Sequence, residues 1–392
     1  NGGSGSFVSV DVLIMTNHHV GADTLSTLSS AAKDYYRDGF LAATRAQEAK
    51  APDLELNALV AIHDVTNQVE QGVAKEMDAA KANEVRRANK ARIEKKATEE
   101  SGLRCDVVTL YQGGQYHLYQ YKKYTDVRLV FAPEFDAAFF GGDPDNFEFP
   151  RYDLDVCFFR AYENGKPAKV PHHLRWSANG SREGDLVFVA GHPGRTRRLS
   201  THATLEMFRD FAFPWLVTYL KSKEAFLLEF TRLGEEAFRQ AKEELFSIQN
   251  SRKARIGGLG GLNDPEFMAR KKAAEDRVKT LSAKNPKTAP ETASAWDRIA
   301  EAQKIAADNY VDYQLIERGF AFDSELYRIA KNLVRLAEES QKENSQRLPE
   351  YRDSALPSLK HELFSEAPLY PEFEKAKLAF GLSELKRQKA GD

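Results

Sequence analysis

Two adjacent histidines give this sequence its clearest chemical signal. His18 and His19 follow a Leu-Ile-Met run that begins at Leu13 and a polar Thr-Asn pair. The apolar run predicts a short buried strand, after which a polar turn holds an imidazole at the rim of a core. We choose His19 as a general base because it stands where the strand gives way to a helical segment, directly before Val20. The alternative is that either histidine only makes a backbone hydrogen bond in a turn or core.

A carboxylate that could orient this histidine lies beyond a loop. Residues 139–151 are rich in turn-forming types and lead into an apolar and aromatic stretch with the composition of a strand. Asp155 stands at the mouth of that strand between Leu and Val, which suits the buried aspartate of a Ser-His-Asp site. Asp153 would share a face with it and is the weaker candidate. Alternatively, both carboxylates cap a turn or pair with Arg151 or Arg160.

Several further segments, taken with these two motifs, resemble one family. They are Gly2–Ser9, Cys105–Tyr111, Tyr124–Glu134, Gly141–Arg151 and Gly191–Thr196. Together they cover most of residues 1–205 and resemble the bacterial dipeptidyl-peptidase family that includes dipeptidyl-peptidases 7 and 11. The resemblance implies a mixed β and α fold, in which a chymotrypsin-like β-barrel with a helical insertion is followed by a large α-helical cap domain.

The resemblance also implies an activity, the release of dipeptides from the free N-terminus of peptides. His19 would be the general base and Asp155 its orienting partner. Asn146 and Phe147 match the family residues that bind the substrate α-amino group, since an amide oxygen can accept from an ammonium and a ring can face the cation. The family commonly has Trp where this chain has Phe, a weaker cation-binding ring. Asn250 would align with a further family asparagine from the cap.

The nucleophile of that family has no counterpart here. Its members place a Gly-Asn-Ser-Gly-Ser-Pro type loop after the aspartate, and no such segment follows Asp155 in this sequence. The segment Gly3–Ser6 looks similar but lies upstream of the histidines. There, Phe7 and Val8 continue it as a strand that would pair with residues 13–15. We therefore expect Gly5 and Ser6 to pack the first barrel.

Residue patterns divide the chain into two predicted domains. Residues 22–102 are rich in Ala, Lys, Glu and Gln and predict a helical insertion, after which strand-like segments run to about residue 200. One of these strands is predicted at 186–190. From residue 201 the pattern is helical, with a flexible joint predicted at the glycine-rich segment 257–262. The expected domains are thus a first barrel, 1–200, and a cap, 201–392.

These observations predict a fragment that carries the His and Asp of a triad and is inactive by itself. The resemblance implies peptide or oligopeptide substrates with a free N-terminus, a homodimer, and a periplasmic or secreted location. One alternative is an endopeptidase of the high-temperature-requirement type, which has a similar Thr-Asn-Asn-His-Val loop but lacks a helical block after residue 200. Another is a non-catalytic peptide-binding pseudoenzyme.

Composition excludes few classes. The 392 residues are 42% hydrophobic and carry a net charge of −2, which gives no basic field for nucleic acid. No apolar run approaches the length of a membrane span. We predict no metal or other cofactor, because the adjacent His172 and His173 point in different directions. Cys105 and Cys157 could be free or bridged.

Overall fold

The computed structural model describes residues 3–139, 141–189, 191 and 197–389. Internal contacts divide the chain into two compact units. The first unit contains residues 1–138, 154–189 and 326–368, and the second contains residues 139–153, 190–325 and 369–392. The predicted mixture of β and α structure is confirmed, because the strands lie in the first unit and the second is helical.

The strands that the structure describes are β1 (Ser6–Phe7), β2 (Leu13–Thr16), β3 (Phe40–Leu41), β4 (Ala49–Lys50), β5 (Leu56–Asp64), β6 (Arg104–Leu110), β7 (Gln115–Tyr124), β8 (Asp126–Ala132), β9 (Cys157–Glu163) and β10 (Lys166–Pro167). The helices are α1 (His18–Leu28), α2 (Tyr35–Asp38), α3 (Thr66–Val69), α4 (Ala79–Ser101), α5 (Phe135–Ala138), α6 (His202–Met207), α7 (Phe213–Thr231), α8 (Glu235–Leu262), α9 (Pro265–Lys284), α10 (Ala289–Thr292), α11 (Ala295–Asp308), α12 (Tyr310–Asp312), α13 (Glu325–Glu339), α14 (Leu356–Leu363) and α15 (Pro371–Lys389).

The first unit contains an antiparallel sheet of seven described strands. Its order is β1-β2-β9-β8-β3, with β10 paired to β9 and β4 paired to β8. The predicted hairpin before the histidines is confirmed, because Ser6 lies opposite Met15 and Phe7 lies opposite Ile14. The apolar residues of β2, β8 and β9 share one core with α1, which includes Ile14, Leu25, Leu129 and Phe159.

Helix α1 packs closely on β9, and a glycine permits this approach. A Cβ atom at Gly21 would lie 2.8 Å from the Sγ atom of Cys157. Since real Cβ atoms do not come so near to other heavy atoms, a larger residue would push the helix away from the strand. The glycine therefore helps to fix the start of α1 against the start of β9.

The segment predicted as a helical insertion, 22–102, differs from the structure. It contains α2, α3 and α4, but it also contains β3, β4 and the nine-residue strand β5. Strand β5 belongs to a second sheet of order β5-β7-β6, which packs with α4 around a separate core that includes Val69, Cys105 and Leu118. Long-range pairing with β7 explains the difference, because it overrides the weak helix preference of the surrounding composition.

The two cysteines are free and buried. Both lie within the predicted barrel, 1–200, but Cys105 is on β6 of the three-stranded sheet and Cys157 is on β9 of the seven-stranded sheet. Burial raises the pKa of the Cys157 thiol to about 12. A thiol in that state is a poor nucleophile at neutral pH.

Helices dominate the second unit. Helices α7, α8 and α15 share a core of Leu227, Phe230, Ala241, Leu245 and Phe373. The predicted joint at 257–262 is wrong, because α8 continues as one helix to Leu262. Packing explains the glycine at position 258. A Cβ atom at Gly258 would lie 3.0 Å from the ring of Phe213, so a small residue suits the close approach of α7.

Residues 326–368 group with the first unit, although their helical pattern placed them in the predicted second domain. Two polar contacts join this segment to the rest of the unit. Arg352 Nη1 lies 3.0 Å from Glu94 Oε2 on α4, and both side chains are buried. Ser358 Oγ donates to Glu55 at 2.8 Å. Because both partners are distant in sequence, hydrophobic periodicity could not reveal these contacts.

The strand predicted at 186–190 does not form over its described part. Residues 186–189 lack strand pairing, and their apolar side chains are 63–100% exposed. A strand needs a neighbour to receive its backbone hydrogen bonds, and the described residues supply none there. Residues 190 and 192–196 lie outside the described part. Among the described residues, no helix is both long enough and apolar enough to cross a membrane.

Candidate active site

The register of two strands brings His19 and Asp155 together. Thr16 at the end of β2 lies opposite Cys157 at the start of β9. His19 follows Thr16 by one turn at the start of α1, and Asp155 precedes Cys157 by two residues. Because the strands are antiparallel, the end of one and the start of the other meet at the same edge of the sheet.

Asp155 uses both carboxylate oxygens at this edge. Its Oδ2 lies 2.7 Å from His19 Nδ1, and its Oδ1 accepts from the backbone N–H of His19 at 3.0 Å. Asn17, directly before α1, donates its side-chain amide to Oδ2 at 3.0 Å and to the Asp155 main-chain carbonyl at 3.2 Å. The carboxylate therefore also stabilises the N-terminus of α1, where backbone N–H groups favour negative charge.

The surroundings keep Asp155 ionised. Burial alone would raise the pKa of the Asp155 carboxyl. Hydrogen bonds from the His19 ring and backbone, the His19 charge and the Asn17 amide act in the opposite direction, and the net pKa is lowered. An ionised aspartate at this distance favours protonation of His19 during proton transfer.

His18 has a different environment from its neighbour. Its side chain is 2% exposed and its ring lies 5.9 Å from that of Tyr36. Burial lowers the pKa of His18, despite the opposing charge of Asp155. His19, by contrast, has a side chain that is 67% exposed. Of the two histidines, His19 is therefore placed for contact with a substrate.

The second unit contains the other predicted site residues. Asn146 Nδ2 donates to Asn250 Oδ1 on α8 at 2.9 Å, and Arg151 Nη1 donates to Asn146 Oδ1 at 3.2 Å. Since a guanidinium can only donate, this bond requires the oxygen of the Asn146 amide to face Arg151. Each of the two amide oxygens accepts one hydrogen bond and retains a second lone pair. Asn250 is exposed, whereas Asn146 is buried with 6% of its surface accessible.

Phe147 has an unusual backbone conformation. Its φ is +66°, in the left-handed region that side chains other than glycine rarely adopt. Its side chain is 59% exposed, so the conformation turns a large ring away from the core. Such strain at an exposed aromatic residue is typical of functional sites.

The sequence predicted His19, Asp155, Asn146, Phe147 and Asn250 as site residues, but not the neighbours Asn17 and Arg151 that bond to them. Asn17 could have been found, since Asn is favoured at the position before a helix. The bond from Arg151 to Asn146 could not be predicted, because no sequence pattern links an arginine to an asparagine five residues earlier in a loop. Among the described residues, no group of three or more His, Cys, Asp or Glu side chains could hold a metal ion.

A histidine–aspartate pair at the ends of neighbouring strands is what a serine-type peptidase needs to activate its nucleophile. The comparison with protein families agrees with this class. The chain belongs to the peptidase S46 family, whose model matches residues 1–392. The resemblance predicted from the sequence is therefore confirmed.

Curated relatives are dipeptidyl-peptidases. The Asp/Glu-specific dipeptidyl-peptidase of Shewanella putrefaciens is 30% identical over 368 residues, which cover 90% of this chain and 49% of the relative. Dipeptidyl-peptidase 7 of Phocaeicola vulgatus is 34% identical over 223 residues, which cover 52% of this chain and 31% of the relative. The chain spans about half the length of the first of these relatives.

A solved structure shares the fold. DPP11 of Porphyromonas endodontalis, in complex with the dipeptide Arg-Glu, matches with a TM-score of 0.75 at 24% identity. The match covers 98% of this chain and 56% of that one. At this identity, the likeness shows the fold alone.

Proposed function

We propose that the protein containing this chain is a serine dipeptidyl-peptidase that releases dipeptides from peptides with a free N-terminus. The observation that carries this proposal is the 2.7 Å contact between His19 Nδ1 and Asp155 Oδ2. When a carboxylate holds Nδ1, the opposite nitrogen Nε2 is the one that takes the proton of a nucleophile and later gives it to the leaving amine. Membership of the S46 family supports the same reaction class.

The proposed nucleophile is a serine outside residues 1–392. In the chymotrypsin-like order the serine follows the aspartate, and the relatives are about twice the length of this chain. On this account the seven-stranded sheet is part of the first chymotrypsin-like barrel, and residues 1–392 alone are inactive. The division into a barrel and a cap belongs to the same proposal, with residues 139–153 assigned to the cap and residues 326–368 to the barrel unit.

Recognition of the substrate amine is assigned to Asn146, Phe147 and Asn250. The two amide oxygens can accept hydrogen bonds from an ammonium group, and the exposed ring can contact its charge. The hydrogen bond between Asn146 and Asn250 supports the assignment, since it places two polar groups from distant parts of the sequence together. The resemblance further supports a homodimer and a periplasmic or secreted location.

The experiment that tests this proposal uses the complete gene product. It is incubated with a peptide that has a free amine and with the same peptide acetylated at its N-terminus, and the products are identified by mass spectrometry. The expected result is stepwise release of dipeptides from the free peptide and none from the acetylated one. Internal cleavage of the acetylated peptide would instead indicate an endopeptidase, and binding of the free peptide without cleavage would indicate a pseudoenzyme.

A further inference from the structure

Arg252 connects the loop that carries Asn146 to two helices. Its Nη2 lies 2.9 Å from Asp143 Oδ2 in the loop. Its Nε lies 2.6 Å from Glu224 Oε2 on α7. The exposed fractions of the Arg252, Asp143 and Glu224 side chains are 19%, 21% and 15%. One guanidinium on α8 therefore joins two carboxylates in a largely buried position.

The bridge lies beside the asparagine pair on both elements. Asp143 precedes Asn146 by three residues, and Arg252 follows Asn250 by two. The next residue, Lys253, donates its Nζ to the main-chain carbonyls of Asp143 and Pro144. One turn of α8 thus supplies the asparagine partner and two cations that hold the loop.

The relative strength of these interactions indicates which of them sets the loop position. The bond between Asn146 and Asn250 is a single hydrogen bond between neutral groups. Charge-assisted hydrogen bonds are roughly twice as strong as neutral ones. Arg252 donates one of them, from Nη2 to Asp143, and its Nε forms a close ion pair with Glu224 that lacks hydrogen-bond geometry. Removal of one partner of a buried ion pair also leaves the other charge without compensation. The charged bridge therefore positions the loop, and the asparagine bond depends on it.

We propose that Arg252 is a positioning residue for recognition of the substrate amine, through its bridge between Asp143 and Glu224. This inference rests on the proposed function, because it concerns the same amine-binding residues. Arg252 acts by holding the loop so that Asn146 and Asn250 present their oxygens in one fixed arrangement. It is assigned no contact with the substrate.

The test compares Arg252→Met, Arg252→Lys and Asp143→Asn in the complete gene product. For a free-amine peptide, the Met and Asn variants should raise KM by about tenfold or more and change kcat by less than about twofold, because the amine site is displaced while the proton-transfer pair is intact. Arg252→Lys should be intermediate, since an ammonium can replace the charge but not the planar double contact. The double variant Arg252→Met with Asp143→Asn should lose little more than either single variant.

Arg239→Met is the matched control. Arg239 is a buried arginine on the same helix. Its contacts to Glu236 and Tyr370 involve no residue of the loop that carries Asn146. Its replacement should lower the melting temperature without raising KM. An unchanged KM in both Arg252→Met and Asp143→Asn, with turnover intact, would overturn the positioning role alone. A wild-type protein that releases no dipeptides would remove the proposed function, and the positioning role with it.

Discussion

The histidine–aspartate pair of the first unit and the asparagine pair of the second unit are held by different means. His19 and Asp155 meet because two antiparallel strands are in register and a helix begins beside them. Asn146 and Asn250 meet because charged side chains hold a loop against a helix. The proposed proton transfer thus depends on sheet geometry, whereas the proposed binding of the substrate amine depends on the docking of a loop. Variants in the two regions should therefore change different kinetic constants.

The largest effect is expected at the proposed catalytic pair, His19 and Asp155. Asp155→Asn in the complete gene product should lower kcat for dipeptide release by roughly 10⁴-fold, because the amide cannot stabilise the imidazolium or select the correct tautomer of His19. The KM should change little. Steady-state kinetics with a chromogenic dipeptide substrate would measure both constants, and a kcat within tenfold of the wild type would contradict the role of Asp155.

A smaller effect, on the other constant, is expected at the asparagine pair. Asn146→Ala or Asn250→Ala should raise KM for a free-amine peptide by about 10- to 100-fold, since a hydrogen bond to a charged group stabilises by about 1.5–3 kcal/mol. The kcat should stay within a few fold. Asn309→Ala is a control in the same unit, because its side chain bonds to the backbone carbonyl of Ile305. An equal KM in all three variants would show that the asparagine pair does not bind the substrate amine.

Phe147→Trp should sharpen recognition in the opposite direction. Trp is the best aromatic partner for a cation, and contacts at exposed sites contribute about 0.5–1 kcal/mol. We expect KM for free-amine peptides to fall by about two- to threefold, and N-acetylated peptides to remain uncleaved. Isothermal calorimetry with a free dipeptide offers a second readout. A weaker affinity in the Trp variant would show that the ring does not contact the amine.

The smallest expected effect is on the free energy of unfolding and comes from the buried His18. The pKa of His18 is lowered from 6.5 in the folded protein, so the unfolded chain takes up its proton at higher pH. As pH falls below about 6.5, protons favour the unfolded state, and stability decreases by at most about 1.4 kcal/mol per pH unit for this group. Urea unfolding from pH 7 to pH 5 should show a shallower loss in His18→Gln. Identical pH slopes would mean that His18 takes up its proton equally in both states.

The difference between the two regions also explains how far the sequence could predict them. His19 and Asp155 stand at transitions that residue patterns reveal, a strand that leads into a helix and a loop that leads into a strand. The hairpin before them is local, and its prediction is confirmed. The bond between Asn146 and Asn250 joins residues 104 positions apart, and no periodicity encodes it. Asn250 was therefore accessible through family resemblance alone.

Long-range packing accounts for the errors in the predicted fold. Strand β5 lies in a helix-rich composition and forms because β7 pairs along its length. The glycines near the end of α8 suggested a joint, but Gly258 lets the helix approach Phe213 closely. In both places a distant partner determined the local structure. The charged bridge of Arg252 escaped prediction for the same reason.

The two pairs serve one proposed activity in separate ways, one through proton transfer and the other through amine recognition. To test this, kcat/KM of the complete gene product is measured for a free-amine peptide and for its N-acetylated form, in wild type, Asp155→Asn and Asn146→Ala. We predict that the wild type strongly prefers the free-amine peptide. In Asp155→Asn, kcat/KM for this peptide should fall while the preference for the free amine stays the same. In Asn146→Ala the preference itself should fall. Equal cleavage of both peptides by the wild-type protein would show that the protein does not recognise the free amine of its substrate.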